Sequence, residues 1–117
     1  MSYKAVKLLE EMRGREKHIL GLMQDLVEVE SPSDNKVAVD RCVDLAAKAC
    51  AGIGGRVRRH RQRAFGDLLE ARFGRAGRGV KPVLVLGHLD TVWPLGTLKQ
   101  MPFKVEKGRA WGPGTLD

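Results

Sequence analysis

The chain has 117 residues, of which 43% are hydrophobic and 30% charged, and carries a net charge of +7 at pH 7. That length allows one domain or part of one with a single modest core, and that balance of apolar and charged residues excludes a disordered chain. No apolar run reaches the roughly 18 residues that a membrane helix needs, which excludes a helical membrane span. The N-terminal stretch MSYKAVKLLEEMRGREKHIL mixes charge with apolar residues throughout, so the expectation is a cytoplasmic protein without a secretory leader.

The first element is an amphipathic helix. Ile19, Leu22, Met23, Leu26 and Val27 follow helical spacing, and Val6, Leu9 and Met12 extend the pattern backwards past a weak point at Gly14. Ser31-Pro32 ends it, because a residue before proline is pushed out of helical geometry. Ser33 or Asp34 then caps a second helix with Val39, Val43, Ala46, Ala47 and Cys50 on one face, closed by the glycines of GIGG at 52–55. Cys42 and Cys50 stand eight apart within that helix, a spacing of neither a metal knuckle nor a disulfide framework, and read as free thiols.

Beyond residue 55 the period becomes extended. RVRRHRQR at 56–63 suits a surface or edge strand, and DLLEARF alternates with Leu69, Ala71 and Phe73 on one face. Val83–Leu86 is apolar on both faces, as expected of a central strand covered on both sides. Phe103 and Val105, the Lys107-Gly108 turn, and Ala110 and Trp111 read as a hairpin. Two helices followed by a mixed sheet with a buried central strand give an α/β class for residues 1–117.

His88 stands where that strand ends, and ligands of open α/β sheets gather beyond strand C-terminal ends. Asp90 lies two residues on, so both side chains of an extended segment project to one side. A carboxylate beside a metal-bound imidazole fixes the ring tautomer and raises its basicity. Taken by themselves, the letters HxD more often describe a surface histidine or one with an ordinary hydrogen bond.

The longer run VLVLGHLDTVWPLGTLKQMPFKVEKGRAWGPGTLD resembles the zinc-dependent exopeptidases and deacylases that include glutamate carboxypeptidase, aminoacylase, acetylornithine deacetylase and succinyl-diaminopimelate desuccinylase. The long first helix, SPS at 31–33, the second helix and GDLLEARFG fit the same family. TVWPLGTL, MPF and WGPG are most similar to its glutamate carboxypeptidase branch.

The resemblance implies the N-terminal portion of a di-zinc catalytic domain. In it His88 would be a terminal zinc ligand, Asp90 the carboxylate orienting His88, and Asp117 the carboxylate bridging two zinc ions. It implies hydrolysis of an amide next to a free carboxylate by metal-activated water, on a small peptide or N-acyl amino acid. Nitrogen and oxygen donors also suit cobalt or manganese. The family's paired glutamates, further ligands and lid or dimerisation domain have no counterpart up to Asp117. The 117-residue chain alone is therefore expected to be inactive, and a homodimer would form through that other domain.

Two rival readings have their own features. The arginines between Arg56 and Arg63 could contact nucleic-acid phosphates, but they lack interleaved aromatics for base stacking, and a charge-protected edge strand explains them more simply. A truncated, non-catalytic scaffold is the other. His18 and His60 are read as non-ligands. Trp93 and Trp111 are candidates to line a cleft, with at least one expected to be buried.

Overall fold

The structure is a computed structural model that describes residues 2–75 and 77–116. Asp117, the expected bridging carboxylate, lies outside the described residues. Within them the chain is a small mixed domain of three helices and two small antiparallel sheets.

The expected long first helix is two helices, α1 (Tyr3–Gly14) and α2 (Glu16–Glu28). Ser2 caps α1 by accepting a hydrogen bond from the Ala5 N–H at 3.3 Å. The break falls at Arg15, whose ψ of 5° leaves helical geometry, next to the poor helix former Gly14. Helix α1 buries no residue, whereas α2 half-buries Leu22, Met23, Leu26 and Val27 along one stripe. Helix α3 (Lys36–Gly52) is capped by Asn35, one residue beyond the expected Asp34, through an Ala38 N–H bond of 3.0 Å to the Asn35 side chain. It ends where Gly54 takes a φ of 85°, which a glycine adopts at no steric cost.

Strands β1 (Arg56–His60) and β2 (Leu68–Arg72) pair antiparallel, with Arg56 opposite Arg72 and His60 opposite Leu68. Pleating sends Val57, Arg59, Leu69 and Ala71 to the half-buried side and leaves Arg56, Arg58 and Arg72 in water, so the arginine run is a surface strand as its composition suggests. The core lies on α3, where Ala38, Val39, Cys42 and Val43 are buried. Gly66, in the β1–β2 connection, passes so close to it that an added Cβ would lie 2.1 Å from Val39 Cγ1.

A carboxylate network fastens this hairpin to α3. Asp67 accepts from Lys36 Nζ at 2.7 Å, Arg59 Nε at 2.6 Å and the Gln62 N–H at 2.9 Å, while its own N–H donates to Asp40 at 2.8 Å. Asp44 also pairs with Arg59. The ammonium of Lys36, then the Gln62 N–H, hold the Asp67 carboxyl far below the usual carboxylate range.

The second sheet is the expected hairpin, β3 (Lys104–Glu106) with β4 (Arg109–Trp111), turned at Lys107-Gly108. The buried central strand is not observed. Val83–Leu86 belong to neither sheet and are 84–90% exposed. A strand that is apolar on both faces needs pairing partners on its edges and a covering layer on each face. The described residues supply none of these: both sheets form elsewhere, and the nearest β-pairing is a single parallel bridge between Pro32 and Thr91. No helix among the described residues is long and apolar enough to cross a membrane.

Candidate active site

That bridge organises the site. Pro32 stops α2 from continuing and pairs in parallel with Thr91. The Thr91 N–H donates to the Ser31 carbonyl at 2.8 Å, and the Ser33 N–H donates to the Thr91 carbonyl at 2.9 Å. The buried Ser31 hydroxyl donates to the Leu89 carbonyl at 2.6 Å. His88 and Asp90 therefore lie on a segment whose C-terminal half is fixed to the α2–α3 connection.

A groove of about 520 Å³ opens beside them. Leu22, Met23, Leu26 and Val27 of α2 form one wall, and His88, Leu89, Asp90, Thr91 and Trp93 form the other. Cys42 reaches it from α3 and Pro113 and Gly114 close one end. Burial pushes the Cys42 thiol pKa up, so it is a protonated, apolar part of the lining. The turn at Gly112-Pro113-Gly114 sits directly on the site segment: Pro113 is buried, and a Cβ at Gly114 would lie 2.7 Å from Thr91 Cγ2.

At the groove mouth the His88 Nδ1 atom lies 2.9 Å from the Asp90 carbonyl and 3.4 Å from its carboxylate Oδ1. Carbonyl and carboxylate oxygens only accept, so Nδ1 is the donor in both contacts. The Asp90 carboxyl is held below its usual range, first by the Ser33 hydroxyl and then by its own backbone and His88. An imidazole oriented in this way fits a zinc ligand by the chemistry of its donor. Among the described residues, no group of three or more His, Cys, Asp or Glu side chains is arranged to hold a metal ion.

Of the other residues singled out, Trp93 lines the groove at 38% exposure, and Trp111 at 47% lies on β4 beneath the Lys104 ammonium, 5.9 Å from the ring centroid. Neither is buried, against the expectation for at least one, because the hairpin and the Trp93 loop lack a covering layer. His18 is exposed on α2. His60 finds its partner on the neighbouring strand, with Nε2 3.0 Å from Glu70.

The sequence reading passed over Glu30. Its carboxylate accepts from the Gly96 N–H at 3.0 Å and the Leu98 N–H at 3.1 Å, while its backbone takes a φ of 49°, rare for a residue with a side chain. A glutamate before SPS carries no local signal for a contact more than sixty residues away.

No family model matches the chain. Among curated proteins it is similar to Carboxypeptidase G2 of Pseudomonas sp. (strain RS-16), with 28% identity over 101 residues, 85% of this chain and 24% of that protein. The likeness is to a carboxypeptidase. The chain spans about a quarter of the length of Carboxypeptidase G2, and the similarity supports a relationship to carboxypeptidases without selecting a branch among them. A hydrolase is the class of parent that this relationship suggests.

Proposed function

We propose that the chain forms the N-terminal portion of the catalytic domain of a metal-dependent exopeptidase or deacylase of the glutamate carboxypeptidase type. Its reaction is hydrolysis of an amide bond next to a free carboxylate, in a small peptide or N-acyl amino acid. The observation that carries this reading is the His88–Asp90 pair at the groove mouth, in a chain similar to a carboxypeptidase over most of its length.

In this reading His88 would hold the metal, and Asp90, in contact with Nδ1, would orient that ring. The apolar α2 wall and Trp93 exclude water from the substrate side of the groove, which strengthens every charge interaction made inside it. Asp117 is the second proposed ligand. Zinc, or cobalt or manganese in its place, supplies Lewis acidity and a water acidic enough to attack at neutral pH. General base, remaining ligands and a dimerising domain belong to further polypeptide.

The test is hydrolysis of an N-acyl glutamate conjugate by the product of the whole reading frame, with and without a chelator. Chelator-sensitive turnover is expected. It should fall about 10–100-fold in Asp90→Asn, the range for residues that orient a ligand, and further in His88→Ala. The 117-residue chain alone should show none. Turnover that survives the chelator or His88→Ala would overturn the reading.

A further inference from the structure

The loop beyond Asp90 ends in a short 3-10 turn, Thr97–Lys99, which is capped from a distant part of the chain. The first N–H groups of a helical turn have no partner within it, and the side chain of the preceding residue ordinarily accepts from them. Here that residue is Gly96, which takes a φ of 90° and has no side chain to offer. Glu30 fills the place. Its Oε1 atom accepts from the Gly96 N–H at 3.0 Å and the Leu98 N–H at 3.1 Å, and Oε2 lies 3.1 Å from the Gly96 nitrogen. Among the described residues, the other hydrogen bonds of residues 94–101 stay inside that segment.

We propose that Glu30 is a clasp that sets the position of Trp93, and with it the groove wall that faces α2. Residues 92–95 have one foot at the Pro32–Thr91 bridge and the other at Gly96, so both feet stand on the same segment, 30–33. Trp93 and Pro94, which line the groove, lie between those feet. The backbone of Glu30 points to the same role. A glycine would take its φ of 49° at no steric cost, but would leave the Gly96 and Leu98 N–H groups without their acceptor. The cost of a side chain in that conformation is offset by two hydrogen bonds that only a side chain can accept. This inference does not rest on the metal-site reading, because it concerns the shape of the groove with or without a cation.

The experiment uses the 117-residue chain carrying Trp111→Phe, which leaves Trp93 as its single tryptophan, and adds Glu30→Gln, Glu30→Ala or Glu30→Gly. Hydrogen exchange at the Gly96 and Leu98 amides reads the clasp, and acrylamide quenching of Trp93 fluorescence reads the wall. With Glu30 or Glu30→Gln both amides should be protected and quenching should be equal, since one amide oxygen has lone pairs for both bonds. In Glu30→Ala and Glu30→Gly the protection should be lost and quenching should rise. Glu30→Gly should melt above Glu30→Ala, because glycine takes the left-handed φ freely, so equal release of the loop in both separates the grip from general stability. Protection that survives Glu30→Ala, or unchanged quenching where protection is lost, would overturn the proposal. Release that follows the melting temperature across the variants, and not the presence of the acceptor, would overturn it too.

Discussion

Asp67 shows how one side chain ties the local fold together. It sits between two cations from different elements and accepts a backbone N–H besides, so its proton is lost at a lower pH in the folded chain than in the unfolded one. Asp40, held first by Lys36, is lowered in the same direction. A group with a depressed folded pKa stabilises the fold above its unfolded value, about 3.9 for aspartate, and that contribution is lost as pH falls through the folded value. Thermal melts taken at decreasing pH should therefore show stability falling below about pH 4. In Asp67→Asn the melting temperature should start lower at neutral pH and depend less on acid. An acid dependence identical to that of the parent chain would contradict this assignment.

At the scale of elements, legibility followed how local the cause was. The α2 and α3 stripes, the β1–β2 alternation and the Lys107-Gly108 turn are set by spacing within each segment and appear at their expected places, except that Ile19 is exposed and Phe73 lies exposed past the end of β2 at Arg72. The break at Arg15 and the cap at Asn35 shift boundaries by small steps, since neighbouring residues offer nearly equal capping chemistry. Val83–Leu86 fails for another reason. Its composition specifies a doubly covered strand, but coverage is a property of what surrounds a segment, and the described residues do not provide it. The surroundings of the groove divide in the same way: the contact of His88 with Asp90 follows from their separation of two, whereas Glu30 and Ser33 make their bonds across the fold. An uncharged apolar segment with unpaired backbone along both edges is a template for pairing with another chain. Sedimentation of the 117-residue chain should show concentration-dependent association, reduced by Val85→Lys, which puts a charge on the exposed edge. A monomer at all concentrations would contradict that expectation.

Two surfaces of the molecule differ in character. The β1–β2 hairpin carries outward arginines, of which Arg58 makes no side-chain ion pair or hydrogen bond among the described residues. Glu70, paired with His60 and Arg72, is the acidic residue of the paired strands on that face. The apolar groove is lined by His88, Asp90 and the Pro113-Gly114 turn, beside the Pro32–Thr91 bridge. The arginine face has a solvated surface as its sufficient explanation, whereas the groove places an exposed imidazole beside an apolar wall. The most direct measurement follows the ring nitrogens of His18, His60 and His88 by NMR as zinc is added to the 117-residue chain. The account predicts that the His88 ring shifts at zinc concentrations that leave His18 and His60 unmoved. A His88 ring that does not respond, or responds only alongside the other two, would contradict it.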